Sequence, residues 1–480
     1  MVFLYLIFIV PSGLSLLKQV NYFVILAYIV CLDEIRGKNF LVMGLGLNGG
    51  GLVVSKFLLR HGANLVITDL KDDVELASSI KSLEEFSSKI RYVLGYHDVD
   101  DFKRADIVIK NPGVSSCNKY LKFAKRVETD ISLFLMFNKN PIIAITGTKG
   151  KSTLASLLYQ VLGTQYPNVK LGGNIGISPL SFLDELDGIS PIVLEFSSWQ
   201  LHDLRNLNPI ISIITNIYYD HQNSYSNFDD YIGDKSKVFI NQNSGIFISQ
   251  DRAYYDYFYR FKTKSRVILF SETIPLNFDN DVFYFKNNKV YLNDEAISTL
   301  SESKIVLLIS KLIVIFVSNY CKLDLSLVSK VVADFNGIEH RLEFVREFGG
   351  VKYYNDTAST IPDSTVLSVK SLKINEISVN LIAGGTDKEL DFLIFGQILS
   401  MVKTWILLRG SATYKIVKVL EENNIKYFVF SSLKECICYA RKISIRNDVV
   451  LFSPASASFE LFKNEFDRGI QFKTLVNTMA

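Results

Sequence analysis

The stretch "AITGTKGKST", residues 144–153, decides the fold of the middle of the chain. The apolar run Ile142–Ile145 leads into it and an apolar helical pattern, Leu154–Leu162, follows, so its glycines lie between a strand and a helix. Glycine loops in this position hold nucleotide phosphates, because backbone N–H groups and the helix N-terminus attract negative charge. The common phosphate loop has four residues between its glycines, whereas two residues separate Gly147 from Gly150. We therefore expect a nucleotide site of a less common kind.

The chemistry of this loop suits ATP. Backbone N–H groups would hold the β- and γ-phosphates, the Lys151 ammonium would add positive charge, and Ser152 or Thr153 would reach Mg²⁺. The alternative is an ordinary glycine turn before a helix. It would not explain why a strand, two glycines, a lysine and two hydroxyl residues follow one another in this order. The predicted ATP-binding residues of the loop are Gly147, Thr148, Lys149, Gly150, Lys151, Ser152 and Thr153.

Composition limits the classes of protein to consider. A chain of 480 residues corresponds to about three domains, and its 48% hydrophobic residues are enough for large cores. The net charge is only +3, without blocks of basic residues, which argues against nucleic acid as the main partner. Five cysteines without a regular spacing are typical of reduced thiols in a cytoplasmic protein.

Alternating strand and helix patterns predict an α/β protein with three domains. A Rossmann-like domain is expected over 36–138, a central P-loop ATPase-like parallel-sheet domain over 139–335, and a C-terminal Rossmann-like domain over 336–480. Strands are predicted at Ile90–Leu94, Ala105–Ile109, Val351–Tyr354, Val379–Ala383, Thr404–Leu408 and Val449–Ser453. Ligands of such sheets gather at the carboxyl ends of the strands.

The first domain opens with a second glycine motif, "GLGLNG" at 44–49, followed by Asp69 at the end of the next strand. This spacing permits a phosphate at the helix N-terminus and an acidic partner for a ribose hydroxyl. Taken alone, the motif predicts a nicotinamide-dependent oxidoreductase, although the same fold binds other nucleotides in this way.

Three further residues of the central domain are candidates for catalysis. Glu195 lies within the otherwise apolar run 191–196, where a carboxylate is costly unless it is paired in a salt bridge or binds a metal. His221 follows Asp220 at the end of another strand-like run, a position that favours function over structure. Lys235 has no local feature that distinguishes it from a solvated lysine.

Residues 1–35 form an apolar N-terminal extension. Its uncharged runs, 2–17 and 19–32, fall short of the ~20 residues of a spanning helix, so we expect no stable membrane span. A membrane-touching tail, an extra packed helix and an upstream extension outside the folded enzyme remain open. The segment from Leu32 resembles the N-terminus of the family named below, so we expect a true start at that position or a dispensable tail.

Nine segments stand in the order found in Mur ligases, which the chain resembles from about residue 36 to 480. They are "GTKGKST" (147–153), "GGNIG" (172–176), "LEFSSWQL" (194–201), "TNIYYDH" (215–221), "YIGDKSKVF" (231–239), "GIEHRLEF" (337–344), "YYNDTAST" (353–360), "AGGTDKELDF" (383–392) and "SPASASFELFKNEFDRG" (453–469). The last segment and the "GLGLNGGG" start favour the branch that adds glutamate to UDP-N-acetylmuramoyl-L-alanine. The short glycine loop is typical of ATP sites in this family.

The resemblance implies a reaction and a set of residues for it. ATP would phosphorylate the substrate carboxylate, and the glutamate amine would displace phosphate to form an amide. Glu195 with Ser152 or Thr153 would hold one Mg²⁺ and His221 a second, while Lys235 matches the carbamylated lysine of the family. The implied catalytic residues are Lys151, Glu195, His221 and Lys235, and the implied metal site comprises Ser152, Thr153, Glu195, His221 and Lys235.

The resemblance also assigns the outer two domains. Leu47, Asn48, Thr68, Asp69 and Asn174 match positions that bind the UDP substrate. His340-Arg341 and Asn355-Asp356 match segments that close over ATP, with Arg341 and Asp356 as the predicted contacts. Thr360, Lys388, Ser458 and Phe459 match positions that hold the incoming glutamate. A monomeric, cytoplasmic enzyme of peptidoglycan synthesis is expected.

Two departures from the family pattern bear on specificity. Thr357-Ala358 follows Asn355-Asp356 where this branch usually carries a lysine, which leaves the choice between D- and L-glutamate open. The segment 301–319 has no asparagine before Asn319, so the usual adenine contact is missing from its place. The alternatives are another Mur-type or polyglutamate ligase, a nicotinamide-dependent oxidoreductase, or a nucleotide sensor without catalysis.

Overall fold

A computed structural model describes residues 34–479 except 47–49, 218–224, 226, 243–244, 250–263, 272–280, 287–288, 294, 300–307, 336, 374–377 and 388–389. The chain divides into two compact units, one ending at Ala333 and the other beginning at Asp334. No helix among the described residues is long and apolar enough to cross a membrane. Most of the N-terminal extension, residues 1–33, lies outside the described part, whereas Ile35 is buried in the core.

The first sheet confirms the strand and helix pattern predicted for 36–138. Its five strands have the order β3-β2-β1-β4-β5 and are all parallel. Apolar residues of β1 and β4 are buried on both faces, as a parallel sheet covered by helices requires. The strands are β1 (Asn39–Met43), β2 (Asn64–Asp69), β3 (Ile90–Leu94), β4 (Ile107–Lys110) and β5 (Val127–Glu128). The helices are α1 (Gly50–Arg60), α2 (Ala77–Lys81), α3 (Val99–Arg104) and α4 (Asp130–Phe137).

The central sheet places the phosphate loop after its middle strand. Its order is β14-β13-β12-β11-β10-β9-β6-β8-β7, with β6 parallel to both of its neighbours. The strands are β6 (Ile142–Thr146), β7 (Lys170–Gly173), β8 (Ile192–Glu195), β9 (Ile211–Ile214), β10 (Ile246–Ser249), β11 (Arg266–Ser271), β12 (Asp281–Lys286), β13 (Lys289–Leu292) and β14 (Glu295–Thr299). The helices are α5 (Lys151–Gly163), α6 (Ser198–Asp203), α7 (Phe228–Ile240), α8 (Leu308–Tyr320) and α9 (Leu325–Asp334).

The expectation of a parallel central sheet holds only for part of it. β12, β13 and β14 pair antiparallel at one edge. The short connections between these strands allow hairpins, whereas a parallel pair needs a long crossover. The βαβ pattern on which the prediction rests does not include such hairpin strands.

The C-terminal unit contains a six-stranded sheet of order β15-β16-β20-β17-β18-β19, parallel except for β15. The predicted strands are confirmed, with small shifts at their ends. The strands are β15 (Glu343–Phe348), β16 (Val351–Asn355), β17 (Val379–Ala383), β18 (Val402–Leu408), β19 (Tyr427–Phe430) and β20 (Val449–Phe452). The helices are α10 (Pro362–Lys373), α11 (Ser411–Glu422), α12 (Leu433–Ile443) and α13 (Glu465–Asn477).

Candidate active site

The phosphate loop joins β6 to α5 and requires glycine at position 147. Gly147 has a φ of 140°, and a Cβ there would lie 2.1 Å from Thr215 Oγ1 on the neighbouring chain segment. Thr215 Oγ1 in turn donates to Lys149 O at 2.6 Å. The loop is therefore held against the end of β9 by contacts that only a residue without a side chain permits.

Lys151 lies at the first position of α5 and folds back over the loop. Its Nζ donates to Gly147 O at 2.9 Å and to Thr148 O at 3.0 Å. The ammonium is thereby held beside the loop at the N-terminus of α5, where anions are stabilised. Ser152, the next residue, is buried, and Thr153 follows it on the same helical turn.

Glu195 is the last residue of β8 and is 1% exposed. Its Oε1 accepts a hydrogen bond from Asn174 Nδ2 at 2.9 Å, whereas Oε2 is buried without a hydrogen-bond partner. Among the described residues Glu195 forms no salt bridge, so the structural alternative for this carboxylate finds no support. A buried carboxylate oxygen without a donor is costly in free energy unless a ligand or a cation compensates it.

Lys235 is also buried, and its interpretation as a solvated lysine is wrong. It lies on α7, is 2% exposed, and donates from Nζ to Gly147 O at 2.9 Å. The ammonium sits 4.7 Å from the centre of the Tyr231 ring, whose hydroxyl lies 2.9 Å from Thr148 Oγ1. Helix α7 thus brings a lysine and a tyrosine against the phosphate loop, although 82 or more residues separate them in sequence.

These groups line a cavity of about 360 Å³ at the carboxyl ends of the central strands. The loop that follows β4 of the first sheet forms part of its wall. The lining residues are Pro112, Gly113, Gly147, Thr148, Lys151, Asn174, Ser197, Ser198, Trp199, Gln200, Tyr231 and Lys235. A cavity with both polar and apolar walls beside a glycine loop and a buried carboxylate is suited to hold phosphate groups together with a second substrate.

Part of the predicted metal site cannot be placed. His221 lies outside the described residues, and the residues that are described contain no cluster of three or more His, Cys, Asp or Glu side chains. Glu195, with its unbonded buried oxygen, fits a divalent cation, and the hydroxyls of Ser152 and Thr153 are oxygen ligands of the kind that Mg²⁺ prefers. Lys235 as an ammonium does not fit, because a cation repels Mg²⁺.

The predicted UDP-binding residues of the first sheet lie at the carboxyl end of β2. Thr68 is buried and its Oγ1 donates to Tyr96 O at 3.1 Å while lying 2.7 Å from His97 Nδ1. Asp69 accepts from Gly46 N at 3.1 Å and from Lys71 N at 3.0 Å. Leu47 and Asn48 lie outside the described residues. The Asp69 carboxylate therefore helps to shape the glycine turn in addition to facing it.

In the C-terminal unit, Asp356 directly follows β16 and is buried. Its Oδ2 accepts from Ser368 Oγ at 2.7 Å and from Ser453 Oγ at 2.6 Å, and its Oδ1 accepts from Leu342 N at 3.0 Å. Burial raises the pKa of this carboxyl, and the three hydrogen bonds oppose the rise. Both carboxylate oxygens of Asp356 thus already accept hydrogen bonds within the unit, from Leu342, Ser368 and Ser453. The contact of Asp356 with ATP stays a prediction.

The predicted glutamate-binding residues lie on loops that are bonded to one another. Ala455 N donates to Ser359 O, and Ala457 exchanges two backbone hydrogen bonds with Thr386. Ser458 is 2% exposed, and its Oγ is buried without a hydrogen-bond partner. Thr360 is half-buried, Arg341 and Phe459 are exposed, and Lys388 lies outside the described residues. The segments around Ser359, Thr386 and Ala457 therefore lie side by side.

Arg468 is a residue of the C-terminal unit that the sequence did not single out. It is fully buried on α13, and its guanidinium donates to Thr357 Oγ1, Thr357 O, Ser456 O and Ala457 O at 2.9 to 3.1 Å. Burial lowers its pKa to about 10. Arg468 thus cross-links the loop after β16 to the loop after β20. Arg468 stands in the segment 453–469 that resembles the family, but the sequence around it does not show that this arginine is buried.

His340 and Asn355 form a second cross-link in the same unit. Asn355 Nδ2 donates to His340 Nδ1 at 2.9 Å and to Glu343 Oε2 at 3.0 Å. Burial lowers the pKa of His340, while Glu339 and Glu343 oppose this and Lys473 adds to it. The imidazole is therefore held in its neutral form, with Nδ1 as the acceptor.

Comparisons with known proteins match the chain over most of its length. Residues 145–319 match the Mur ligase middle domain and residues 38–132 match the N-terminal domain of MurD-like Mur ligases. The chain is 66% identical over 449 residues to a UDP-N-acetylmuramoylalanine–D-glutamate ligase of Borreliella burgdorferi, covering 94% of this chain and 100% of the relative. It is 32% identical over 525 residues to the ligase of the same name from Treponema pallidum, covering 92% and 98%.

A solved structure has the same fold. The structure of UDP-N-acetylmuramate-alanine ligase from Thermotoga maritima aligns with a TM-score of 0.57 at 17% identity, covering 92% of this chain and 99% of that one. This likeness bears on the fold alone. The family models and the relatives show that the chain belongs to the Mur ligase family, a class of ATP-dependent ligases. Within the family it is similar to the UDP-N-acetylmuramoylalanine–D-glutamate ligases.

Proposed function

We propose that this protein is an ATP-dependent ligase that joins D-glutamate to UDP-N-acetylmuramoyl-L-alanine, a cytoplasmic step of peptidoglycan synthesis carried out by a monomer. The observation that carries the proposal is Glu195, whose buried Oε2 has no partner, next to the phosphate loop. The substrates are those in the printed name of relatives that are 66% identical over nearly the whole chain. The alternative of a nicotinamide-dependent oxidoreductase would leave Lys151, Glu195 and Lys235 without a role.

The first step is phosphoryl transfer to the substrate carboxylate. A carboxylate oxygen of the alanyl residue attacks the γ-phosphorus, and the bond from that phosphorus to the β-phosphate oxygen breaks to release ADP. Lys151 and the loop N–H groups stabilise the negative charge on the phosphate oxygens. To do so, the Lys151 ammonium exchanges its bonds with Gly147 O and Thr148 O for bonds with phosphate.

The second step forms the amide. The amine of glutamate attacks the acyl carbon, the bond to the phosphate oxygen breaks, and inorganic phosphate leaves while the amine loses its proton. Ser458, with its buried and unpaired Oγ, together with Thr360, Lys388 and Phe459 would hold the glutamate. Arg341 and Asp356 would contact ATP from the C-terminal unit, and Leu47, Asn48, Thr68, Asp69 and Asn174 would bind the UDP substrate.

Two Mg²⁺ ions would be held by Glu195, Ser152 or Thr153, His221 and Lys235. The ions would supply positive charge that neutralises the phosphates and orients them for transfer. Lys235 takes part in this arrangement only after carbamylation, because the reaction with CO₂ replaces the ammonium by a carboxylate-like anion. Burial of Lys235 against Gly147 O supports such a role, since a long side chain is already held beside the phosphate loop.

A phosphate-release assay tests the proposal directly. The purified protein is mixed with ATP, Mg²⁺ and UDP-N-acetylmuramoyl-L-alanine, and a panel of D- and L-amino acids is added one at a time. We expect release that depends on both substrates and is fastest with D-glutamate. Release with L-glutamate alone would transfer the chain to an L-glutamate-adding reaction, and no release with any amino acid would contradict the ligase assignment.

A further inference from the structure

Lys110 is a buried lysine that the proposed reaction does not use. It is the last residue of β4 and is 3% exposed. Its Nζ lies 2.8 Å from Asp203 Oδ2 and donates to Val114 O at 2.8 Å. The other oxygen of the Asp203 carboxylate accepts from Ser116 Oγ at 2.8 Å. One carboxylate therefore binds both ends of the loop formed by residues 110–116.

Both partners of this ion pair lie on segments that line the phosphate-loop cavity. Pro112 and Gly113 of the 110–116 loop belong to its lining. Asp203 is the last residue of α6, whose first turn supplies Ser198 and Trp199 to the lining. Because α6 begins three residues after Glu195, the pair fixes the 110–116 loop relative to the strand that carries this carboxylate.

The same loop is also bonded to the glycine turn of the first sheet. Asn111 Nδ2 donates to Gly44 O at 3.2 Å, and Gly113 N donates to Asn111 Oδ1 at 3.1 Å. The side chain of Asn111 fills the space beside Gly44 so closely that a Cβ on that glycine would lie 3.0 Å away. The 110–116 loop therefore spans the distance between the predicted UDP site and the predicted site of phosphoryl transfer.

We propose that Lys110 and Asp203 are positioning residues that hold the 110–116 loop in place between these two sites. A UDP-linked substrate that is anchored at the glycine turn must pass this loop to bring its carboxylate to the γ-phosphate. Displacements of about 1 Å in such an arrangement can cost about a hundredfold in rate. The inference rests on the proposed function, and it assigns to the pair a role in placing the acyl substrate and none in binding ATP.

The test is the substitution Lys110→Met, which keeps an unbranched stem and removes the charge. We expect the KM for UDP-N-acetylmuramoyl-L-alanine to rise by about tenfold or more and kcat to fall, because the loop loses its fixed position. The KM for ATP should stay within about twofold, since Thr215 and Asn216 hold the phosphate loop and the substitution leaves these contacts in place. Lys110→Arg, which retains the charge, should recover part of the loss.

A matched control separates positioning from stability. Arg91→Met removes a cation on β3 that pairs with the buried Asp101 of α3. This control should lower the melting temperature without a change in either KM. The double variant Lys110→Met/Asp203→Leu leaves no unpaired buried charge, so it should regain stability while the KM for the UDP substrate stays high.

Calorimetric titration with UDP-N-acetylmuramoyl-L-alanine gives a second readout that needs no turnover. Weaker binding to Lys110→Met and Asp203→Asn, with unchanged ATP binding, supports the inference even if no phosphate is released by any variant. Equal changes for both ligands, unchanged binding of the UDP substrate, or full recovery of its KM in the double variant would overturn it. Absence of phosphate release in the unmodified protein would instead count against the proposed function.

Discussion

The carboxyl ends of the parallel strands carry charged side chains in both the central sheet and the C-terminal sheet, but these side chains have different partners. At the central edge, Glu195 keeps a buried oxygen without a hydrogen-bond partner, and Lys151 and Lys235 donate to backbone carbonyls of the phosphate loop. At the C-terminal edge, Asp356, His340 and Arg468 bond to neighbouring side chains and loops. The first edge is prepared to meet charged ligands, and the second fixes the loops that present a binding surface.

The charged side chains at the two edges are therefore expected to have different roles, ligand binding at the central edge and loop stabilisation at the C-terminal edge. A buried charge without a matched partner costs free energy of folding, and a ligand of opposite charge restores it. A buried charge with several hydrogen bonds stabilises the loops that it joins. Substitutions at the central edge should therefore change rates, and substitutions at the C-terminal edge should change stability first.

The largest effect is expected for Lys151→Ala at the central edge. Loss of one charge-stabilising donor costs about 3 kcal/mol in the transition state, about a hundredfold in rate. The melting temperature should change little, because the ammonium donates to carbonyls of its own loop, Gly147 O and Thr148 O. Steady-state phosphate release and thermal unfolding measure the two quantities, with the exposed Lys103→Ala as the control. Near-normal turnover of Lys151→Ala would break the assignment of the ATP site.

Lys235→Ala tests the carbamate on the neighbouring helix. We expect near-complete loss of activity and partial recovery with added acetate or another short carboxylate, which would replace the missing anion. Lys237→Ala is the matched control, because this lysine lies on the same helix but bonds to His202 O and Asp234. Rescue should fail for Lys151→Ala, where a cation is missing. Full activity of Lys235→Ala without carboxylate would remove Lys235 from the site.

Arg468→Met should lower stability more than it lowers the rate. It removes the Arg468 donor from the buried carbonyl oxygens of Thr357 and Ser456, at a cost of roughly 3 kcal/mol. We expect a lower melting temperature and a raised KM for glutamate, since the loops around Ser458 lose their cross-link. Thermal unfolding and glutamate titration check both. A variant with unchanged stability and a large loss of kcat would show that Arg468 meets the ligands directly.

The smallest effect is a pH dependence of stability at His340. Burial lowers the pKa of this imidazole, so the unfolded chain binds a proton more readily than the folded one in the ordinary histidine range. Stability should therefore decrease as the pH falls from about 7.5 to about 5.5. His340→Asn suits the positive φ of this position and keeps an acceptor for Asn355, and it should lose this part of the pH dependence. Identical pH profiles for the two proteins would contradict the neutral assignment.

Much of the fold was visible in the sequence because parallel strands are apolar on both faces and end in polar residues. "PIVLEF" placed β8 and Glu195 together, and "AITGTKGKST" placed β6, the loop and α5. The antiparallel strands β13 and β14 were missed, since short hairpins of mixed residues carry a weak pattern. Strand ends were accurate where an apolar run met a charged residue.

The site was less predictable than the fold because its lysines and arginines are distinguished by burial. Lys110, Lys235 and Arg468 look like solvated cations in sequence, yet each is at most 3% exposed. Their partners lie between 4 and 111 residues away along the chain, and many of these are backbone carbonyls, which have no signature in a sequence. Lys235 was singled out by its resemblance to a family position, and Lys110 was recognised only from its contacts.

The most direct test of the central edge is the fate of oxygen in the substrate carboxylate. UDP-N-acetylmuramoyl-L-alanine labelled with ¹⁸O in its terminal carboxylate is incubated with the protein, ATP, Mg²⁺ and D-glutamate, and the released phosphate is analysed by mass spectrometry. Transfer of one ¹⁸O atom to each phosphate is the predicted result, because the oxygen that attacks the γ-phosphorus leaves with it. Release of unlabelled phosphate during amide formation would contradict phosphorylation of the carboxylate at this site.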